Sequence, residues 1–414
     1  MKVVIMAGGF GTRIREIAPD VPKPMIRIEG VPVLEREILS LKEQGFTDFI
    51  LTVSYLREKI IEGFGDGSRL GVNIEYFEEN EPLGSAGALF RLKSKLTEDF
   101  LLLNADAVFD IDFNRFVKYH QEKNALVTLF AHPNSHPYDS GLLITDGDGA
   151  VKEWLSKTDE RPEFYRNLVN AGLHVISPRV LEMAKERVEG KAKIDLDKDL
   201  LKPLSGKGVM FAYESPEYVK DMGTPERFNQ VADDIKKGIV SARNLKNKQR
   251  AVFLDRDGVL NREVGFCNNT EEFELLPWTA SNIRKINRSG YLAVVVTNQP
   301  VIARGEMSLE ELSRMHKKLE TELGKEGAYL DAIYFCPHHP DSGFEGEVKE
   351  LKIVCDCRKP KPGMLLRAAE RFNIDLSQSV IVGDSRRDIE AGEAAGCRTF
   401  LVKTNEGWDA DDVL

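Results

Sequence analysis

Residues 251–259 read AVFLDRDGV, an apolar run followed by Asp255 and Asp257 two residues apart and closed by Gly258. An apolar run of this length bounded by polar residues is the pattern of a buried parallel strand. Side chains just past the carboxyl end of such a strand face the crevice in which α/β proteins bind ligands. Aspartates at i and i+2 share a face of an ideal strand, and in the loop beyond it they converge on one site. A plain turn would carry the same Asp-x-Asp-Gly letters. The neighbouring segments decide between the two. Thr297-Asn298-Gln299 ends the next apolar run, YLAVVV. Lys359 lies in RKPKPGM ahead of a helical pattern, and Asp384 follows SVIVG with Asp388 four residues on. Each polar motif ends a strand-like run or precedes a helix, so all of them point into one crevice.

The same alternation runs through the whole chain. VVIMA, FILTVSY, FLLLNAD and LVTLFAH are strand-like in the first half, as are AIYFCP and RTFLVK in the second. Amphipathic stretches separate them; Leu309, Leu312, Met315, Leu319 and Leu323 recur at the spacing of one helical face. Strands alternating with helices predict α/β units on largely parallel sheets. DIKKGIVSARNLKNKQR, residues 234–250, is basic and thin in large apolar residues toward its end. It predicts a domain over 1–240, a polar linker over 241–249 and a second domain over 250–414.

Composition limits what these domains do. The 414 residues carry a net charge of -10, which disfavours a nucleic-acid binder because no basic excess is available to release counterions. The amino terminus lacks the pattern of a signal peptide, and no apolar run is long enough to cross a bilayer. A cytoplasmic protein with small-molecule substrates and no membrane partner is expected; a homo-oligomer is compatible with the pattern. An acidic chain handling phosphates needs cations, which directs attention to metal-binding aspartates.

Three of the five cysteines fall within residues 335–360, FCPHHPDSGFEGEVKELKIVCDCRKP. A metal site, a disulfide and chance clustering all fit that run. An odd cysteine count in a long chain argues against a disulfide framework. Cys336-x-His338 with Cys355-x-Cys357 makes a Cys₃His set, a usual tetrahedral zinc composition.

The motifs of residues 250–405 resemble those of the haloacid dehalogenase-like phosphatases, which implies a Rossmann-like fold. On that resemblance Asp255 attacks phosphorus and Asp257 protonates the leaving alcohol. Thr297 and Lys359 stabilise the transferring group, with Asn298, Gln299, Arg304 and Arg358 beside the sugar phosphate, and Asp255, Asp257 and Asp384 hold Mg²⁺. The zinc loop ending CDCRKPKPGM narrows the resemblance to D-glycero-D-manno-heptose 1,7-bisphosphate 7-phosphatases; histidinol-phosphate phosphatases share the loop. The family pattern selects His338 over His339 as the fourth ligand of a structural zinc. Relatives acting on the heptose usually carry Ser-Gly before Ile-Ala-Arg-Gly, where this chain has Pro300-Val301.

At the amino terminus, VVIMAGGFGTRI is followed by PKPMI from Pro22. A strand opening into Gly8-Gly9-Phe10-Gly11 exposes backbone amides to a nucleotide, and Arg13 and Lys23 add cations for a triphosphate. With GTR and PKP at this spacing the segment resembles sugar-1-phosphate nucleotidylyltransferases, over roughly residues 1–235, again with a Rossmann-like fold. The resemblance implies nucleotide contacts from Ala7, Gly8, Gly9, Gly11, Thr12, Arg13, Lys23, Gly84 and Asp106. It implies Mg²⁺ at Asp106 and Asp221, and sugar-phosphate contacts from Lys157 and Asn170. Arg13 and Lys23 would be catalytic. The loop EPLGSAGAL most resembles that of guanylyltransferases, so GTP is the expected donor.

Overall fold

The computed structural model describes residues 1–9, 20–265, 267–343 and 345–414. Gly11, Thr12 and Arg13 lie outside the described residues. Two compact units are present: the first comprises Met1–Ala131, Leu143–Trp154 and Asn170–Asn244, and the second His132–Leu142, Leu155–Val169 and Leu245–Leu414.

The first unit is built on parallel strands in the order Asn73–Glu78, Asp48–Val53, Val3–Met6 and Phe100–Asn104. Val3, Val4 and Ile5 are all fully buried, as a strand covered on both faces requires. Helices Val33–Lys42 and Arg57–Phe64 connect three of these strands. Val169–Ile176 then joins antiparallel to Phe100–Asn104. A separate ribbon pairs Ala107–Asp110 with Tyr218–Asp221, setting Asp221 opposite Ala107.

The second unit holds a five-stranded parallel sheet. Its order is Ala332–Cys336, Leu292–Asn298, Ala251–Leu254, Val380–Gly383 and Arg398–Leu401. The chain moves outward from Ala251–Leu254 on one side, then returns to its other side. That reversal makes the carboxyl end of Ala251–Leu254 a topological switch point, where such sheets bind ligands. Asp255 is the next residue. Both units are therefore α/β on largely parallel sheets, the second wholly parallel and the first with antiparallel additions, as the alternation predicted.

One helix-face expectation differs. On helix Leu309–Lys325, Leu312, Met315, Leu319 and Leu323 are buried but Leu309 is 50% exposed, because the first helical position projects past the core. Within the linker expected over 241–249, Lys246, Asn247 and Lys248 are exposed while the residues flanking them face inward. Leu245 packs with Ala251 and Phe253, and Gln249 is buried and bridges to Ile374.

Candidate active sites

In the second unit the motifs meet as the strand ends require. Asp255, Asp384 and Asp388 each offer a carboxylate oxygen within 4.8 Å of the others. Lys359 is buried among them, with Nζ 2.9 Å from Asp255 Oδ1 and 2.5 Å from Asp388 Oδ1. Gly258 makes room for this cluster: its φ is +80°, and a Cβ there would fall 2.2 Å from Asp384 Oδ2. Burial pushes the Asp255 carboxyl up to about 7, with Asp388 and Asp257 adding to the rise and Lys359 opposing it. Such a carboxylate cluster invites a cation that reverses the shift.

Asp257 is differently placed. Arg256 Nη2 donates to its Oδ1 and Oδ2 at 2.8 and 3.0 Å, Asn261 Nδ2 to Oδ1 at 2.9 Å, and Gln299 Nε2 to Oδ2 at 2.8 Å. Burial raises this carboxyl, but Arg256 and the amide donors outweigh it and hold Asp257 below the usual range. Gln299 Nε2 also reaches Thr297 Oγ1 at 2.9 Å. Asn298 spends its amide on the backbone of Lys359.

Arg304 caps the short helix Pro300–Ala303, in which Pro300 takes a position where a missing N–H costs nothing. Gly305 follows with φ +74°, and a Cβ there would lie 2.0 Å from Gly346 O, so the long loop packs directly on it. Arg358 is half-buried and donates from Nη1 to His338 O at 3.2 Å.

The loop ligands also converge. All five cysteines are free. Cys357 Sγ lies 3.3 Å from Cys336 Sγ, from Cys355 Sγ and from His338 Nδ1. Cys336 Sγ is 3.5 Å from Cys355 Sγ and 3.6 Å from His338 Nδ1. A tetrahedron of sulfurs about 2.3 Å from zinc has edges of about 3.8 Å, so the donor set fits that ion. His339 stands apart and accepts from Asp341 N at 3.2 Å.

In the first unit a cavity of about 500 Å³ opens at the carboxyl ends of Val3–Met6 and Phe100–Asn104. Its walls include Ala7, Gly8, Gly9, Lys23, Gly84, Asn104 and Asp106. Lys23 is buried and bonds Asp106 Oδ2 at 2.8 Å. Met222 N donates to Asp106 O at 3.0 Å, so the ribbon brings Asp221 beside Asp106. Burial raises the Asp221 carboxyl; Arg227, Gly223 N–H and Lys23 together more than offset this and hold it low. Gly84 has φ +83°, and a Cβ there would meet Ile194 O at 2.4 Å. Asn170 is the second residue of strand Val169–Ile176, which pairs with the strand of Asn104; Lys157, in the segment Leu155–Val169 that belongs to the second unit, is exposed in the turn after Val151–Leu155.

Asp388 was legible only as an aspartate near the site. Its Oδ2 accepts from Ser385 N at 3.0 Å and from Ser385 Oγ at 2.5 Å, the capping box of helix Arg386–Ala395. The Ser-x-x-Asp spacing was the available signal. The pinning of Asp257 by Arg256 and Asn261 had no sequence signal.

These two sites, a nucleotide-sized cavity and an aspartate–lysine crevice, define a bifunctional enzyme: a nucleotidyltransferase joined to a phosphatase of the HAD class. Residues 2–238 match the nucleotidyl transferase family, and residues 356–412 a HAD-hydrolase-like family. The chain is 44% identical over 157 residues to the D-glycero-beta-D-manno-heptose-1,7-bisphosphate 7-phosphatase of Vibrio cholerae, spanning 38% of this chain and 82% of the relative. It is 42% identical over 159 residues to the D-glycero-alpha-D-manno-heptose-1,7-bisphosphate 7-phosphatase of Photorhabdus laumondii, spanning 38% and 85%. The solved HddC structure from Yersinia pseudotuberculosis is 26% identical, covering 56% of this chain and 99% of that one at a TM-score of 0.48. The chain belongs to the nucleotidyl transferase family and, in its carboxyl-terminal part, to the heptose-1,7-bisphosphate 7-phosphatases.

Proposed function

We propose that the chain carries out two consecutive steps of GDP-D-glycero-α-D-manno-heptose synthesis. Its phosphatase domain removes the 7-phosphate from the heptose 1,7-bisphosphate, and its transferase domain moves GMP from GTP to the heptose 1-phosphate, releasing pyrophosphate. The observation that carries this is the fusion itself. Relatives of the second domain are named as 7-phosphatases of that bisphosphate, and removal of the 7-phosphate leaves a sugar 1-phosphate, the acceptor class a sugar nucleotidyltransferase uses. The domains are assigned as 1–240 and 250–414, joined by 241–249.

In the phosphatase, an Asp255 carboxylate oxygen attacks phosphorus and the bond to the sugar oxygen breaks. Asp257 gives the leaving alcohol its proton. Arg256 keeps Asp257 ionised in the resting site, so it first takes up a proton, which the negative charge of an incoming phosphomonoester favours. Asp257 then deprotonates a water that attacks the aspartyl phosphate, releasing phosphate and restoring Asp255. Lys359 faces the phosphoryl oxygens, with Thr297 and Gln299 at its side, and Arg304 and Arg358 bind the rest of the sugar phosphate. Cys336, His338, Cys355 and Cys357 hold a structural zinc that fixes Arg358 and Lys359.

In the transferase, an oxygen of the sugar 1-phosphate attacks the α-phosphorus and pyrophosphate leaves, with no covalent intermediate. Gly8, Gly9 and Gly11 let the triphosphate approach; Lys23, Arg13 and Thr12 bind it. The loop at Gly84 contacts guanine, and Asn170 and Lys157 contact the sugar phosphate. Asp255, Asp384 and Asp388, with Asp257, and in the other domain Asp106 with Asp221, are the groups for Mg²⁺, which offsets phosphate charge when bound.

The test feeds each anomer of heptose 1,7-bisphosphate with each of GTP, ATP, UTP and dTTP, following phosphate and pyrophosphate. Phosphate release with GTP-dependent pyrophosphate from the α-anomer is expected. Pyrophosphate from UTP or dTTP but not GTP overturns the choice of base, and no phosphate from either anomer overturns the choice of sugar.

A further inference from the structure

One buried titratable side chain of the first unit takes no part in the chemistry above. His174 lies on strand Val169–Ile176 and is 1% exposed. Leu173, Val175 and Ile176 beside it in the strand are buried and apolar, and an apolar residue at 174 would avoid the cost of burying a ring nitrogen. Nδ1 of His174 has no hydrogen-bond partner among the described residues. Nε2 has one, Asn170 Oδ1 at 3.2 Å.

Asn170, Gly172 and His174 alternate along one strand and so present to one face. Gly172 N also donates to Asn170 Oδ1, at 3.3 Å. The antiparallel register sets His174 against Leu102 and so brings Gly172 to Asn104, where a Cβ on Gly172 would lie 2.7 Å from Asn104 Nδ2. Asn104 is in the wall of the nucleotide cavity. The trio therefore borders the transferase site.

We infer that His174 is a positioning residue for sugar-phosphate recognition: with the Gly172 N–H, it holds Asn170 Oδ1 and thereby presents the Asn170 amide N–H groups to the sugar 1-phosphate. An amide oxygen only accepts and an amide nitrogen only donates. Two donors on Oδ1 leave both Nδ2 hydrogens for a ligand. Flipping the amide would set an N–H group against the Gly172 N–H, a backbone donor that cannot reverse its role, and leave it unpaired. The neutral imidazole serves this way with its proton on Nε2. Burial keeps it neutral, pushing its pKa down to about 3.

The inference rests on Asn170 contacting the sugar, so the experiment separates the two claims. Kinetics of pyrophosphate release are measured for wild type, His174→Leu, His174→Gln and Asn170→Ala, with melting temperature as a check on folding. His174→Leu is expected to raise KM for the sugar 1-phosphate roughly tenfold while leaving KM for the nucleotide unchanged. His174→Gln, which keeps a donor, should recover most of that loss. The double variant His174→Leu/Asn170→Ala should be no worse than Asn170→Ala alone. Should His174→Leu fail to fold, His174→Phe carries the same comparison. If Asn170→Ala raises the sugar KM but neither apolar variant at 174 does, the positioning role is wrong. If Asn170→Ala leaves the sugar KM unaltered, the sugar-contact reading falls with it.

Discussion

Asn298 and Lys359 exchange two hydrogen bonds: Asn298 Nδ2 donates to Lys359 O, and Lys359 N donates to Asn298 Oδ1, each at 3.0 Å. One side chain thereby fixes the backbone of the lysine that sits between Asp255 and Asp388. Catalysis by a positioned cation depends on that geometry more than on its charge alone. Asn298→Ala is therefore expected to lower phosphatase kcat roughly ten- to a hundredfold with little change in KM, as losses of orienting partners do. Steady-state phosphate release checks this; an unchanged kcat would mean that Lys359 is held well enough by its carboxylates.

The convergent set Cys336, His338, Cys355 and Cys357 adjoins the same lysine, since Cys357 precedes Arg358 and Lys359 in the chain. About one zinc per chain is expected in protein purified without chelator. Cys355→Ser should lose the metal and at least tenfold in phosphatase rate, while pyrophosphate release by the other domain persists. Metal analysis that finds no zinc in the wild type would sink the assignment.

Much of this site was legible because each motif ends a strand or precedes a helix. DRDG, TNQ, RKPKPGM and GDSRRD all follow or precede strongly patterned segments, and a parallel sheet gathers such ends at one edge. What escaped the sequence depends on where individual side chains turn in the fold, toward partners both adjacent and remote in the chain. Asn298 reads as a ligand-binding amide, yet its hydrogen bonds go to a backbone 61 residues on. Asp257 reads as an acid, yet buried Arg256 holds it ionised. Residues 241–249 read as a polar linker because of their lysines and amides; Lys246, Asn247 and Lys248 are exposed, while Leu245 and Gln249 pack inward. Asn73–Glu78, NIEYFE, mixes polar and apolar residues without clear alternation because only one side of this edge strand is paired.

Two buried imidazoles set an acid limit on stability. Burial pushes both His174 and His316 down to about 3, with Arg256 adding to the effect at His316. An unfolded histidine binds its proton near pH 6.5, so below that pH the unfolded chain holds more protons than the folded one. Stability is then flat above about pH 6.5 with respect to these groups, and falls as pH drops toward 3. Each group contributes a slope of up to about 1.4 kcal/mol per pH unit within that window. Denaturant midpoints at pH 7.5 and 5.5 measure it, and the variant His174→Leu/His316→Phe should show a smaller drop than wild type. An equal drop would mean that neither imidazole is held neutral.

The two chemistries are expected to separate cleanly by substitution. Asp255→Asn removes the nucleophile and keeps the shape of the side chain, so phosphate release from the 1,7-bisphosphate should fall below detection. The same protein supplied with heptose 1-phosphate and GTP should still form the GDP-sugar, because no step of the transfer uses Asp255. Lys23→Ala has the opposite effect. It removes the buried cation 2.8 Å from Asp106 that would meet the triphosphate, and should slow transfer at least a hundredfold while phosphate release stays within about twofold of wild type. With bisphosphate and GTP together, the wild type should release phosphate before GDP-heptose accumulates, since the acceptor must first be made. An equimolar mixture of the two variants should restore the full sequence in solution, each supplying the step the other lacks. If Asp255→Asn in a folded protein also silences transfer from heptose 1-phosphate, the two sites are coupled and the ordered, independent scheme is wrong.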